Sequence, residues 1–421
     1  MIPSCDTAHD DNDVGPLFSP LTLPCGLVLK NRIAKAAMSD SLGDGTGHPT
    51  EAQGRLYERW AQGGVALSLI GEVQGRPDVA EKPGNLVLND HSDLSAFERL
   101  AQRGNQYGSG LWLQLGHAGA LAYPPTSVAR GPSALDLPGL RCAALSPGEI
   151  HALPDQFART AALARAAGFA GVQVHAAHGF LLSQFLSPLF NRRNDAYGGS
   201  ITGRRRLLLE VIQAVRDAVG PAFPVAVKLN ASDQLEGGLD QEDALEVVKS
   251  LDNQPIDLID ISGGTYFPGA RSASDTDTAA GSPYFLAFAR RARRHTTLPL
   301  MLTGGFKTLS QARSAVDEGS VDIIGLARAL AIKPELARAL AIKPELPRHW
   351  QQGQSAGPTF PRFDTPPEGG ITAWYTMRLT QLAEDRDDES PGSLEQALAD
   401  YEARDQTRTL AWRRHFYSTP G

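Results

Sequence analysis

Two histidines stand three residues apart in Val174-His175-Ala176-Ala177-His178-Gly179-Phe180, at the end of a β-type apolar run. Where a strand gives way to a helix, imidazoles at this spacing turn to one side, and both can donate a hydrogen bond to a single oxygen. A metal site needs a third ligand, and no neighbouring cluster of Asp, Glu or His supplies one. A buried or solvated histidine pair is the plainer alternative, but Gly179 permits a close backbone approach and favours a ligand. Two later apolar runs end in Thr303-Gly304-Gly305 and Leu326-Ala327-Arg328. Glycine amides beside an arginine fork are the chemistry of a phosphate cradle, although a tight turn would use the two glycines equally well. Lys228 interrupts the apolar Val-Ala-Val-Lys-Leu-Asn run. Such a cation needs an inward carboxylate, Asp260 or Asp233, or a ligand that develops negative charge. Gln114 ends another run with an amide suited to the donor–acceptor edge of a planar ring.

These side chains need strands to carry them. Eight short apolar runs, Ile33–Ala37, Val65–Ile70, Leu111–Leu115, Gly171–His175, Pro224–Leu229, Asp257–Ser262, Pro299–Thr303 and Val321–Leu326, lack steady polar alternation. That pattern suits strands covered on both faces. Helical segments lie between them. Ser146-Pro147-Gly148-Glu149 has capping-box spacing ahead of an Ala-rich segment from Phe157 to Ala167. Another helix runs from about Arg204 to Val219, Asp240 caps Gln241–Leu251, and Thr308 opens Leu309–Glu318. Eight such units predict an α/β fold of the (β/α)8 TIM-barrel type, with reactive groups at the C-terminal strand ends and phosphate after strands seven and eight. A doubly wound nucleotide fold is disfavoured, because Gly43-Asp44-Gly45-Thr46-Gly47 misplaces the last glycine of that fingerprint.

The 421 residues divide into an N-terminal tail over 1–16, a barrel over 17–350 with an enlarged loop at Tyr123–Leu145, and a C-terminal part over 351–421. The last comprises a Pro-rich strap, Gln351–Gly370, and helices at Ile371–Ala383 and Ser393–Phe416 that have too few apolar residues for a core of their own. They are expected to pack on the barrel or on a partner subunit. Ala327–Leu336 is repeated without change as Ala337–Leu346. Ten residues are too short for a solenoid unit, so this reads as a local duplication absorbed at the surface.

With 40 Lys plus Arg against 47 Asp plus Glu, the net charge is −7, which together with the lack of a basic stripe argues against nucleic acid. No apolar run reaches the ~18–20 residues of a membrane span. The acidic start has no secretory pattern, and the separated Cys5, Cys25 and Cys142 form no CxxC pair. A cytoplasmic protein acting on a small molecule, with no metal and with self-association possible, is the expectation.

Leu29-Lys30-Asn31-Arg32-Ile33, Gln114-Leu115-Gly116-His117-Ala118-Gly119, the His175–Phe180 block, Phe185-Leu186-Ser187-Pro188, Asn191-Arg192-Arg193 and Tyr197-Gly198-Gly199-Ser200 together resemble the Old Yellow Enzyme family. These are FMN-dependent ene-reductases, or NADH:flavin oxidoreductases, and the resemblance spans about Leu17 to Leu346. It implies FMN as cofactor and NADH or NADPH as reductant. By that resemblance Ala37 and Met38 lie against the flavin ring, Gln114 meets its pyrimidine edge, and Lys228 stands where the family often has arginine. Gly304, Gly305, Ala327 and Arg328 hold the phosphate, and His175 and His178 bind the substrate's carbonyl oxygen. Hydride then passes from NAD(P)H through flavin to an activated alkene such as an α,β-unsaturated carbonyl.

The departures bear on protonation. The family's usual proton-donating tyrosine is Phe180 here, a second tyrosine is replaced by Ser41, and a redox-tuning cysteine by Ser39. Water, Ser41 or Tyr266 are then the candidate donors. Slow protonation would favour an isomerase or a dehydrogenase of an enone-type metabolite. More distant alternatives are a non-flavin lyase using Lys228 as a Schiff base and a barrel that only binds a ligand. Relatives carrying an iron–sulfur cluster are excluded by the missing cysteines.

Overall fold

Runs such as Val-Ala-Val-Lys-Leu-Asn and Leu-Ile-Asp-Ile-Ser put β-branched and leucine side chains on both faces of a strand, so each strand must be covered inside and out. The computed structural model, which describes residues 15–269, 282–332 and 369–418, meets that demand with a closed barrel. Its strands are β1 Ile33–Met38, β2 Leu67–Gln74, β3 Gly110–Leu115, β4 Gly171–Ala176, β5 Val225–Asn230, β6 Leu258–Ser262, β7 Leu300–Thr303 and β8 Ile323–Leu326. Each pairs in parallel with the next, and β8 returns to β1 through Ile324–Ile33, Gly325–Ala34 and Leu326–Lys35. All eight expected strands are present, with β2 running on to Gln74, beyond the expected end at Ile70.

Alternate residues fill the interior. Ala34, Ala36, Leu67, Leu69, Trp112, Ala226, Leu258, Met301 and Ile323 form one cluster, joined by Leu23 and Leu29 at the short N-terminal hairpin of Leu21–Thr22 and Val28–Leu29. A second, larger cluster joins the outer strand faces to the helices. These are α1 Glu51–Gln62, α2 Leu94–Gly104, α3 Pro147–Ala166, α4 Arg206–Val219, α5 Gln241–Leu251, α6 Leu286–Ala292, α7 Leu309–Asp317 and α8 Arg328–Ile332. The caps at Ser146, Asp240 and Thr308 form as the spacing requires, those of Ser146 and Thr308 as reciprocal capping boxes. The Ser146 cap and the Ala-rich segment belong to one helix, which passes through Pro154 without ending. The enlarged loop folds into a small sheet of Arg130–Gly131, Leu135–Leu137 and Leu140–Ala144.

Two C-terminal helices, α9 Gly370–Ala383 and α10 Leu394–Tyr417, lie on the barrel. Arg59 Nη1 and Arg55 Nε of α1 donate to the last α9 carbonyls, Leu382 O at 2.9 Å and Ala383 O at 3.0 Å, satisfying groups that a helix end leaves open. Arg408 of α10 donates to Ser41 O at 2.5 Å, and Tyr417 Oη to Thr126 O at 2.7 Å. The second copy of the repeat, the N-terminal tail up to Val14 and the strap through Glu368 lie outside the described residues.

Candidate active site

A polar layer crosses the barrel above its apolar interior. Gln114 Nε2 donates to Gln173 Oε1 at 2.7 Å, and Gln173 Nε2 donates to Asp260 Oδ2 at 3.1 Å. Thr303 Oγ1 donates to Asp260 Oδ1 at 2.7 Å, and Lys228 Nζ stands 3.1 Å from Asp260 Oδ2. Of the two carboxylates that the sequence offered Lys228, Asp260 is the partner. Asp233 instead accepts from Leu239 N and Asn230 Nδ2, and burial pushes its carboxyl above the ordinary range. Gln173 and Thr303 were missed in sequence. Their signal was parity: Gln173 precedes His175 by two, so it shares its inward face, and Thr303 follows the inward Met301 in the same way.

His175 and His178 meet with ring centroids 5.3 Å apart, edge to face. The spacing works through a turn, not through the expected helix. His178 has φ 60°, and the helical residues begin only at Leu181. This left-handed backbone is secured by Asn230, whose Oδ1 accepts from His178 N at 3.1 Å, while His178 Nε2 lies 2.9 Å from Ser262 Oγ. His175 Nδ1 is buried and has no hydrogen-bond partner. Burial above all, reinforced by His178 and Lys228, holds the His175 imidazole well below its ordinary pKa, and burial followed by Lys228 brings His178 to about 3. Both rings are therefore neutral at neutral pH and serve as hydrogen-bonding groups without a formal charge.

Gly179 does allow a close approach, but by the protein itself: a Cβ there would lie 2.1 Å from Thr265 Oγ1. That contact brings in the loop after β6. Its Tyr266 ring sits 6.0 Å from His178 and 6.0 Å from Phe180. Phe180 is fully buried, its ring 4.8 Å from His175. Ser41 is turned elsewhere: it is 3% exposed, and its Oγ lies 3.4 Å from Arg408 Nη1. Ala37 and Met38 end β1 half-buried. His117, from the Gln114 motif, is buried and accepts from Gly119 N at 3.0 Å; burial first lowers its pKa to about 4.

The ends of β7 and β8 open on a cavity of about 270 Å³ lined by Thr303, Gly304, Gly305, Gly325, Leu326, Ala327 and Arg328. Gly304 and Gly305 have φ 120° and 80°, and a Cβ on Gly305 would come within 2.7 Å of Tyr284 N. A side chain at either glycine would strain the turn that lines this cavity. Tyr375 and Ile371 of α9 also line this cavity, and the sequence contained no sign of it. An arginine, two positive-φ glycines lining an open cavity and an unpartnered buried imidazole nitrogen suit a phosphorylated planar cofactor. Among the described residues, no group of three or more His, Cys, Asp or Glu could hold a metal ion, and no helix is long and apolar enough to cross a membrane.

Residues 16–346 match the model of the NADH:flavin oxidoreductase / NADH oxidase family. The NADH-dependent flavin oxidoreductase iliE of Hypocrea jecorina (strain QM6a) is 35% identical over 352 residues, covering 75% of this chain and 86% of the relative. Its namesake in Neonectria sp. (strain DH2) is 36% identical, but this chain spans only 46% of that relative's length. Among solved structures, the 2-naphthoyl-CoA reductase complex with 2-naphthoyl-CoA superposes with TM-score 0.74 at 25% identity, over 79% of this chain and 53% of that one. The Old Yellow Enzyme homologue from Zymomonas mobilis gives TM-score 0.68 at 25% identity, over 86% and 98%. The chain belongs to the NADH:flavin oxidoreductase family and is an FMN-dependent, NAD(P)H-linked oxidoreductase built on a TIM barrel.

Proposed function

We propose that this flavoenzyme reduces activated alkenes, with His175 and His178 receiving the carbonyl oxygen of an α,β-unsaturated carbonyl. The observation that carries the reading is the imidazole pair: His175 is buried and His178 half-buried, both are neutral and edge to face, and His175 Nδ1 has no protein partner. Bound FMN supplies hydride chemistry, taking hydride from a nicotinamide and passing it to the β-carbon. Gly304, Gly305, Ala327 and Arg328 would hold its phosphate, Ala37 and Met38 would lie against its ring, and Gln114 and Lys228 would meet its polar edge.

The chain's own contribution is to carry charge and a proton. Negative charge builds on the substrate oxygen as the β-carbon is reduced. Donors fixed at that point work as an oxyanion hole, where one is commonly worth ~3–4 kcal/mol of barrier. A neutral imidazole donates from its single N–H, so its tautomer decides which ring nitrogen can face the oxygen. Phe180 has no proton to give and Ser41 is 3% exposed, so the α-carbon proton is assigned to Tyr266, which stands against His178 and Phe180 and whose exposed position lets water restore it. With that donor in place, reduction is favoured over isomerisation and dehydrogenation. Lys228 Nζ lies 3.1 Å from buried Asp260 and is committed to that contact, which counts against the lyase reading.

The test is direct. Supply FMN in excess, purify the chain, reduce it anaerobically with NADH and then NADPH, and reoxidise it with cyclic enones, quinones and nitro-compounds. A yellow protein bleached by nicotinamide and reoxidised by an enone with saturated product supports the reading. A colourless protein, or a reduced flavin indifferent to every enone, refutes it.

A further inference from the structure

Helix α9 begins at Gly370, beyond residue 346 where the family match ends, yet Ile371 and Tyr375 form part of the wall around Gly304, Gly305 and Arg328. Three contacts fix it there. Trp60 Nε1 of α1 donates to Leu330 O of α8 at 3.1 Å, tying α1 to the short helix that starts at Arg328. Arg55 and Arg59 of the same α1 hold the far end of α9 through Ala383 O and Leu382 O. Tyr375 is then left 5% exposed, with its ring centroid 5.9 Å from the Arg328 guanidinium carbon. That distance lies at the outer limit of a cation–π contact, here between a buried ring and an exposed guanidinium. An arginine side chain with many rotamers gains from a rigid surface that limits where its fork can point.

We propose that α9 is a wall of the cofactor's phosphate pocket, and that Tyr375 binds the face of Arg328 so that its guanidinium is directed at the phosphate. The proposal rests on the flavoprotein reading above. It makes a segment outside the family's shared barrel part of cofactor retention, with Tyr375 as a positioning residue and Ile371 as the apolar side of the same wall.

The experiment compares FMN with riboflavin, which has the same ring system and no phosphate, by quenching of flavin fluorescence on the full chain stripped of cofactor. Tyr375→Leu is expected to weaken FMN about tenfold and to leave riboflavin within about twofold. Tyr375→Phe keeps the ring face and is expected to bind FMN as the native chain does. Ile371→Glu sets a carboxylate on the half-buried wall and is expected to weaken FMN selectively. A folded Tyr375→Leu chain with native FMN affinity, or one that loses both flavins equally, overturns the proposal. Should Tyr375→Leu not fold, Ile371→Glu decides, and an unchanged FMN-to-riboflavin ratio overturns the proposal. A native chain that binds neither flavin refutes the flavoprotein reading instead.

Discussion

Lys228 and Asp260 occupy paired positions on β5 and β6, and their charged groups meet 3.1 Å apart at 1% and 0% exposure. Two ions removed from water in this way are tolerated because each neutralises the other, and because Gln173 and Thr303 donate to the remaining carboxylate lone pairs. Removing only the cation leaves the carboxylate without its counter-charge. Lys228→Met should therefore cost about 3–5 kcal/mol in urea unfolding, while adding Asp260→Asn should restore most of that loss. A single mutant as stable as the native chain would show that the pair is not coupled.

The histidine pair separates binding from chemistry. His175→Ala with His178→Ala removes the donors proposed for the substrate oxygen and changes none of the residues that line the 270 Å³ cavity. FMN content should hold, and enone turnover should fall by at least about 10². Reduction of the flavin by nicotinamide is the internal control. Native enone turnover in the double mutant would end the oxyanion assignment.

Burial of neutral imidazoles has a pH signature. In the unfolded chain His117, His175 and His178 take up protons near pH 6.5, while in the native chain His117 waits until about 4, His178 until about 3, and His175 until well below its usual value. As pH falls below about 6.5 the unfolded state binds more protons, so stability drops by up to about 1.4 kcal/mol per pH unit for each histidine until the native pKa is reached. Above pH 6.5 the full stability is present. Urea midpoints at pH 7, 6 and 5 should descend steadily, and a flat series would refute the burial of neutral rings.

Lys35 makes the opposite end of the pH range informative. It lies buried on the outer face of β1, donating to Leu69 O at 3.1 Å and Tyr57 Oη at 3.3 Å, with its Nζ 4.6 Å from the Trp60 ring centroid. Burial, opposed in part by Asp40, brings it from 10.5 to about 7. Between those values the unfolded chain keeps a proton that the native chain has lost, so stability from this group rises with pH across the window and is constant below it. Lys35→Met should remove that rise and keep the fold, as read by Tm at pH 7 and pH 9.5. An identical slope in both proteins would place the effect elsewhere.

Legibility in the sequence followed range. The strands could be read because two-sided burial writes itself as continuous apolar runs, and the helix caps because Ser146, Asp240 and Thr308 act within three residues. Lys228 stood out as a cation in such a run, and Asp260 was one of two partners in reach. Gln173, which completes the layer, could have been found by counting inward positions from His175. Tyr375 could not, because its place beside Arg328 depends on Arg55 and Arg59 capping a helix more than 300 residues away in sequence. The loss of Ser41 to Arg408 has the same origin, since α10 is positioned by tertiary contacts alone.

Proton delivery gives the sharpest distinction between reduction and its alternatives. Phe180 and Tyr266 rings stand 6.0 Å apart, edge to face, and each also meets the imidazole pair. If the Tyr266 phenol gives the α-carbon its proton, Tyr266→Phe should slow enone reduction by about 10² or more, the usual lower range for a positioned general acid. Quinones are reduced at oxygen and need no proton on carbon, so their turnover should stay near native in the same variant. Phe180→Tyr in the Tyr266→Phe background places a phenol beside His175 and should recover part of the enone rate, with product analysis showing saturated ketone. Equal loss on quinones and enones would indicate a damaged pocket and not a missing proton. Unchanged enone turnover in Tyr266→Phe would assign protonation to water or to the Ser41 hydroxyl, whose oxygen accepts from Arg408 and keeps its own proton.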